Sequence, residues 1–191
     1  MGAPIKLRLM TGSTNNAVTA LEQGHADFLL CYSHPSLPLA LNSSVFDCVT
    51  VAQEQLLAVS APSGTHAPSV PNTPLHSLLG TAQQPVPVLR YAPSLELHHI
   101  LQAALARDSR ELHLRDVMES DLAESLHEQA LAGLGLAWLP LSLVRADLQT
   151  GKLVRADLES TPERFDIQLF QPRTPRNALA QAVWKASMEA H

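Results

Sequence analysis

The chain has 191 residues, of which 46% are hydrophobic, and its mean hydropathy is +0.02. This length and composition predict a globular protein with a buried core, as one domain or two small lobes, and exclude a disordered tail. The formal charge is −5, and the 13 Lys and Arg residues are spread singly, so no basic stripe is available for phosphates. We therefore expect these residues not to bind DNA.

The two cysteines, Cys31 and Cys48, lie in apolar runs that are typical of strands. No charged-then-apolar leader opens the sequence, and no apolar run reaches the roughly 20 residues that span a bilayer. We interpret the cysteines as reduced, packed thiols of a cytoplasmic protein with no membrane contact. A disulfide between them is the minor alternative.

Strand and helix patterns alternate along the first half of the chain. Residues Ile5 to Met10 alternate apolar and charged side chains, which predicts a half-exposed strand. A helix follows, with Ala17, Val18 and Leu21 on its apolar face, and ends at Gly24. The remaining segments are predicted to be three strands and a proline-rich loop: Ala26–Tyr32, Val45–Val51, Glu54–Ser60 and Ala61–Pro74.

The second half continues this order. Ser94 is placed to cap one helix, and Ser120 or the acidic residues near it are placed to start another that runs to Gly133. The predicted strands are Val86–Tyr91, Leu112–Leu114, an apolar run before Pro140, and Phe165–Gln171, with a short helix at Pro140–Leu148. A last helix is predicted to bury Leu179, Ala182, Val183 and Ala186. Alternating strands and helices predict an α/β fold with mostly parallel sheets and right-handed crossovers.

The stretch Ala132-Gly133-Leu134-Gly135-Leu136-Ala137-Trp138-Leu139-Pro140 is the most informative. Gly133 can take the left-handed conformation that ends a helix, and an apolar strand follows directly, which predicts a tight helix-to-strand return. Gly133 and Gly135 also remove side chains where backbone must pass close to another group. A dinucleotide loop needs the opposite order of strand and helix, and a small residue where Trp138 stands, so we do not expect one.

This stretch resembles the Gly-x-Gly-[Ile/Leu]-Ala-x-Leu-Pro run of the effector-binding domains of LysR-type transcriptional regulators. Three further segments follow the family's order. Ile5–Leu9, Gly12 and Leu21–Phe28 resemble its strand, helix and Leu-x-x-Gly-x-x-Asp return, Gln53–Val59 its crossover strand, and Gly151–Val154 its late strand. The order of the motifs carries the resemblance, which covers nearly the whole chain. The Ala-Trp-Leu-Pro variant is similar to that of the hypochlorite-responsive branch.

The resemblance implies a two-lobed fold of the type II periplasmic-binding-protein kind, with a small-molecule effector bound in the cleft between the lobes. We assign residues 1–58 plus 166–191 to the first lobe and 59–165 to the second. The resemblance also implies a homo-oligomer in the intact regulator and DNA contact only through a winged helix-turn-helix that this sequence lacks. The family's first strand and helix are missing too. Either the sequence is a fragment with an incomplete first lobe or its start is misplaced.

No residues have the spacing of a metal or catalytic site. His98 and His99 are adjacent and would point about 100° apart on a helix, and His127 lacks a second histidine four residues away. The sequence contains no Gly-x-Ser-x-Gly elbow, Walker loop or Cys-x-x-Cys pair. We therefore expect no metal, no cofactor and no enzymatic activity.

Ligands of open parallel sheets lie beyond the carboxyl ends of the strands, where helix N-termini favour anions. We therefore expect the effector to be a small carboxylate or another anion. For Ser94 and Ser120, capping of a helix explains the residue type equally well. The residues predicted to contact the effector are Thr11, Gly12, Ser13, Ser33, His34, Tyr91, Ser94, Leu95, Met118 and Gly133.

Three alternatives to effector sensing stay open. A solute-binding protein of a transport system would share the fold, although an export signal is lacking. An enzyme on a similar fold would need a convergent catalytic set, which is also lacking. An oxidant sensor would use Met118, because oxidation turns its thioether into a polar sulfoxide, although a single methionine more commonly fills an apolar gap.

Overall fold

The chain divides into two compact units. The computed structural model describes residues 6–39, 41–64, 73–157, 161–174 and 177–189. Unit 1 comprises Met1–Cys31, Ala40–Val51 and Gln168–His191, and unit 2 comprises Tyr32–Leu39 and Ala52–Ile167. These boundaries differ by a few residues from the assignment of 1–58 plus 166–191 and 59–165, and they give the short segment 32–39 to unit 2.

Helices and strands alternate through most of the described residues. The helices are α1 (Thr14–Glu22), α2 (Glu96–Arg107), α3 (Ala123–Leu131), α4 (Leu141–Thr150) and α5 (Ala178–Glu189). The strands are β1 (Leu29–Ser33), β2 (Phe46–Ser60), β3 (Val86–Tyr91), β4 (Leu114–Ser120), β5 (Leu136–Pro140), β6 (Val154–Arg155) and β7 (Glu163–Pro172). No helix within these described ranges is long and apolar enough to cross a bilayer.

The strand order is β1-β7-β2-β5-β3-β4, with β6 paired to β2 beside this path. Strand β3 is parallel to β4 and β5, as the strand-then-helix order predicts. Strand β2 departs from the predicted parallel pairing, because it is antiparallel to both β5 and β6. The sheet is therefore mixed.

The core of unit 2 forms where α2 and α3 pack on β3 and β5. Side chains with no exposed surface come from all four elements: Val88, Ile100, Leu126, Leu136 and Leu139. The buried Tyr91 hydroxyl donates a 2.7 Å hydrogen bond to the carbonyl oxygen of Trp138, which links β3 to β5 and satisfies the phenol's polar atom. Burial raises the pKa of Tyr91, so this hydroxyl stays protonated.

The helix-to-strand return between α3 and β5 is confirmed. Gly133 has φ +77°, and the amides of Gly133 and Leu134 donate to the carbonyls of Ala130 and Gln129, at 3.0 Å each, which closes the helix end. A Cβ at Gly135 would lie 2.9 Å from the carbonyl oxygen of Pro87 on the neighbouring strand. Only glycine therefore lets β5 approach β3 this closely.

We expect Gly135→Ala to lower the free energy of unfolding by about 2 kcal/mol, because the added methyl group must push backbone apart between two paired strands. Urea denaturation followed by circular dichroism measures the loss. The matched control is Gly12→Ala, since a Cβ at Gly12 meets no atom within 4 Å. Equal stability of the two variants would show that β3 and β5 separate without cost.

Two predicted strands differ from the structure. Residues 6–10, the described part of Ile5–Met10, form no ladder, and the side chains of Leu7 and Leu9 are more than 80% exposed. An alternating pattern forms a strand only beside a partner, and no described strand pairs with this segment. The strands predicted at Val45–Val51 and Glu54–Ser60 are the single strand β2, because the residues between them contain no turn-forming type.

The predicted helix start at Ser94 is also wrong, and Ser120 is not the residue that starts α3. Helix α2 begins at Glu96, and its N-cap residue, Leu95, makes no side-chain capping bond. Ser120 is the last residue of β4, where its hydroxyl accepts a 3.1 Å hydrogen bond from the Leu122 amide just ahead of α3. Residue type alone therefore placed the start of α2 too early.

Helix α5 buries a different face from the predicted one. Leu179, Ala182, Val183 and Ala186 are exposed, whereas Ala180 is buried and Trp184 and Ser187 are half-buried. The buried positions have helical spacing, but the face is rotated relative to the predicted one. Alanine at several positions around this helix makes its apolar side ambiguous in sequence.

The two cysteines lie in described strands and do not form a disulfide. Cys31 is half-buried, but Cys48 is exposed rather than packed as predicted. The strand predicted at Ala26–Tyr32 is the shorter β1, where Leu29 is buried and Leu30 is 60% exposed. A continuous apolar run therefore does not mean burial on both faces here.

Candidate functional site

The ten predicted effector-binding residues are distributed over both units. Thr11, Gly12 and Ser13 lie in unit 1, where the Ser13 hydroxyl accepts a 3.4 Å hydrogen bond from the Asn16 amide and caps α1. The other seven lie in unit 2: Ser33, His34, Tyr91, Ser94, Leu95, Met118 and Gly133. They belong to three places in the chain, namely the end of β1, the ends of β3 and β4, and the end of α3.

Tyr91 and Met118 are on the neighbouring strands β3 and β4 and contact the core of unit 2. Tyr91 is 1% exposed, and its hydroxyl is already bonded to Trp138. Met118 is half-buried and packs against the hydrophobic core, beside a register shift between β3 and β4. The Gly133 carbonyl is 2.9 Å from Nε2 of His76, so its polar group has a partner within unit 2.

The N-termini of α2 and α3 carry negative charge of their own. Glu96 and Glu124 lie in the first turns of these helices. Burial is the largest cause of a raised pKa at Tyr32, followed by the charges of Glu54, Glu96 and Glu124. All three carboxylates are therefore close enough to Tyr32 to affect its hydroxyl. Carboxylates at helix starts already interact with the positive ends of the dipoles and repel a second anion. The helix starts following β3 and β4 therefore favour an anionic ligand less than their dipoles alone suggest.

The N-terminus of α4 also has a carboxylate beside it. Pro140 is its N-cap residue and cannot supply a capping side chain. The buried carboxylate of Glu54 instead accepts hydrogen bonds from the Ser142 amide, at 3.3 and 3.4 Å, and from the Gln55 amide at 2.8 Å. Glu54 thus serves as the anion at this helix N-terminus.

A pocket of about 380 Å³ contains two of the predicted residues and lies within unit 2. We call it the Ser33 pocket, and it is lined by Ser33, His34, Pro35, Gln53, Arg164, Phe165 and Asp166. Arg164 is exposed, and no carboxylate of the described residues lies within 4 Å of its guanidinium. Gln53 donates a 3.2 Å hydrogen bond to Asp166, which occupies that carboxylate in part. The Arg164 guanidinium is therefore available to bind an anion.

His34 is a fixed wall of the Ser33 pocket. Its Nδ1 accepts a 3.1 Å hydrogen bond from the Ser36 amide, which can only donate. The neutral ring therefore carries its proton on Nε2, which donates a 2.7 Å hydrogen bond to Glu163. Glu163 also accepts from Arg107 at 2.5 Å, so the end of β1, the start of β7 and the end of α2 are linked through one carboxylate.

A larger cavity of about 490 Å³ also lies within unit 2. We call it the Trp138 cavity. Its apolar lining includes Leu56, Ala58, Leu101 and Trp138, and its charged lining is Arg107, Asp108, Arg110, Arg155, Asp157 and Glu163. None of the ten predicted residues lines this cavity. Across the described ranges, no group of three or more His, Cys, Asp or Glu side chains could hold a metal.

Arg110 is the centre of the charged side of the Trp138 cavity. Its Nη2 atom lies 2.6 Å from Asp108 Oδ2 and 2.7 Å from Asp157 Oδ2, and its Nε donates to Asp108 at 2.9 Å. Hydrogen bonds from Arg110 lower the pKa of Asp108. One guanidinium therefore binds two carboxylates and favours the ionised form of Asp108.

Sequence reasoning missed these charged residues for a physical reason. Asp108 and Arg110 follow a helix and look like an ordinary solvated loop, and their partner Asp157 is 47 positions beyond Arg110. The three arginines and three acidic residues of this cavity come together only in the folded chain. The available signal was weak: an Asp-x-Arg pair at a helix end, together with a second acid near a short late strand.

The α/β fold described above is that of a periplasmic-binding-protein-like ligand-binding domain. The family model of the LysR substrate binding domain matches residues 4–191, and the chain belongs to this family. The resemblance carried by the Ala132–Pro140 stretch is thus confirmed. The regulatory domain of HypT from Salmonella typhimurium, in its apo form, has the same fold, with a TM-score of 0.81 at 23% identity over 99% of this chain and 84% of that one.

Two curated relatives are transcriptional regulators of Escherichia coli. YjiE of strain K12 is 26% identical over 175 residues, which cover 92% of this chain and 53% of that protein. The HTH domain-truncated regulator QseD of O157:H7 is 25% identical, with coverage of 92% and 66%. The chain therefore spans between half and two-thirds of the length of these relatives.

Proposed function

We propose that this chain is the ligand-sensing part of a cytoplasmic LysR-type regulator and that a small anion binding in the Ser33 pocket is its signal. The observation that carries this proposal is the exposed Arg164 guanidinium beside Ser33 and His34, with no carboxylate of the described residues within 4 Å. The proposed effector is still an anion, as expected from the sequence. The group proposed to bind it is the Arg164 guanidinium and not a helix N-terminus.

The chemistry of the Ser33 pocket supports an anion of modest size. A guanidinium offers two parallel N–H donors to a carboxylate or phosphate, and the Ser33 hydroxyl adds a third donor. His34 and Phe165 form less polar walls that limit the size of the occupant. A charge-assisted hydrogen bond contributes more than a neutral one, so Arg164 is expected to supply most of the selectivity.

In the intact regulator, we propose that the anion acts by favouring one arrangement of the protein over another. The shift cannot exceed the difference in affinity for the two states. Assembly into a homo-oligomer and DNA binding through a region outside these 191 residues belong to the same proposal. The regulators YjiE and QseD, as named relatives over this part of the chain, are the basis for it.

Thermal unfolding in the presence of acetate, pyruvate, phosphate and sulfate tests the Ser33 pocket. We expect at least one anion to raise Tm saturably, because a ligand at a hundredfold excess over Kd stabilises the folded state by about 2.7 kcal/mol. Arg164→Met should abolish this shift. Arg145→Met, which removes an exposed arginine of α4 outside the pocket, should retain it.

The two variants separate binding from general salt effects. Sulfate and phosphate stabilise most proteins by exclusion from the surface, and that effect is unchanged by Arg164→Met. A shift of the same size in the wild-type chain and Arg164→Met would therefore contradict the proposed site. If none of the four anions raises the Tm of the wild-type chain saturably, the expectation that one of them binds is wrong.

A further inference from the structure

We propose that the Trp138 cavity is a second ligand site and that it takes a small amphipathic carboxylate, with an apolar body and one anionic end. The site is separate from the Ser33 pocket, and the proposal does not depend on the function proposed for that pocket. Its volume of about 490 Å³ lies within the range of about 300–1,000 Å³ that is common for ligand clefts.

The apolar side of the Trp138 cavity selects the body of the ligand. Ala58 of β2 is directly opposite Trp138 of β5 in an antiparallel pair, so both side chains point to the same face of the sheet. Leu56 is on that same face, two residues along β2, and Leu101 reaches the cavity from α2. An aliphatic or aromatic body gains free energy by leaving water for this surface.

The charged side of the cavity selects the head group. Asp108 and Asp157 are both bonded to Arg110, and Glu163 is bonded to Arg107 and His34. An incoming amine would therefore have to displace a guanidinium from one of these carboxylates. Their partners make a cationic head group unfavourable here.

Arg155 is the cation of this cavity that has no counter-charge among the described residues. Its Nη2 donates a 3.1 Å hydrogen bond to the backbone carbonyl of Asp157, and its buried Nε has no acceptor among the described residues. No carboxylate of the described chain lies within 4 Å of this guanidinium. A ligand carboxylate in the cavity would supply the negative charge and would accept hydrogen bonds from the terminal N–H groups of this guanidinium.

Fluorescence titration of the full 191-residue chain tests this proposal. The chain has two tryptophans, so a Trp184→Phe background leaves Trp138, which lines the cavity, as the reporter. The probes are hexanoate, hexan-1-ol and hexylamine, which share one apolar chain and differ in the head group. We expect hexanoate to change the Trp138 emission saturably and to bind at least about tenfold more tightly than the alcohol or the amine.

Variants of Arg155 test whether this residue causes the preference for hexanoate. Arg155→Met should weaken hexanoate binding at least about tenfold and leave hexan-1-ol binding nearly unchanged, whereas Arg155→Lys should retain part of the preference. Arg145→Met, which alters an exposed arginine outside the Trp138 cavity, should bind hexanoate as the parent does. No saturable emission change, equal affinities in parent and Arg155→Met, or equal losses of affinity in Arg155→Met and Arg145→Met would each overturn the proposal.

Discussion

Replacing Arg110 with methionine is expected to lower the free energy of unfolding by about 3 kcal/mol, the low end of the range for breaking a buried ion pair. The low end applies because the Arg110 side chain is 31% exposed. The loss arises because Asp157, with only 5% of its side chain exposed, loses two hydrogen bonds from the Arg110 guanidinium, at 2.7 and 3.3 Å. Urea denaturation at pH 7 measures it, and Arg145→Met is the matched control.

The Arg110→Met effect should depend on pH in a defined direction. Hydrogen bonds from Arg110 hold the pKa of Asp108 below its ordinary value of 3.8, so the folded state favours the ionised form. This stabilisation is fully present above pH 3.8 and is lost as pH falls through the lowered folded pKa. The stability difference between wild type and Arg110→Met should therefore narrow below about pH 4. A constant difference down to acid unfolding would contradict this account.

Leu126→Ala is expected to cost about 3–4 kcal/mol, because the deleted atoms leave a cavity where α3 meets the sheet. Leu126 has no exposed surface and lies on the helix that leads into the Gly133 return. Leu122→Ala is the matched control, since Leu122 is 56% exposed just before the same helix, and it should stay within about 0.5 kcal/mol of wild type. Similar losses in both variants would show that α3 is not anchored through Leu126.

Much of unit 2 was predictable because its signals are local. Strand β3 has the predicted bounds, and Gly133 ends α3 in the left-handed conformation as expected. Gly151 ends α4 in the same way, with φ +71°. Glycine geometry and short apolar runs act over a few residues, so the sequence carries them without knowledge of neighbours.

The features that the sequence did not predict depend on partners far along the chain. Residues 6–10 have a strand pattern but no described ladder partner, and the buried face of α5 is set by what packs against it. The Trp138 cavity joins β2, α2 and the residues around Asp157 and Glu163. No local pattern shows that such distant segments meet.

Two of the ten residues predicted to contact the effector line the pocket that we propose as its site. Ser33 and His34 line a pocket, but the sequence offered no reason to choose Arg164, a single cation in an otherwise alternating strand. The anion was predicted at helix N-termini, and the first turns of α2 and α3 contain the acidic residues Glu96 and Glu124. The oxidant-sensing alternative through Met118 stays a prediction, and its packing against the core suits a gap-filling role.

The most direct measurement is a crystal structure of this chain with the anion that raises its Tm most. We predict the anion in the Ser33 pocket, within hydrogen-bond distance of the Arg164 guanidinium and the Ser33 hydroxyl. An anion bound at the start of α1 beside Thr11 and Ser13, or anywhere that Arg164 and Ser33 do not touch, would contradict the account.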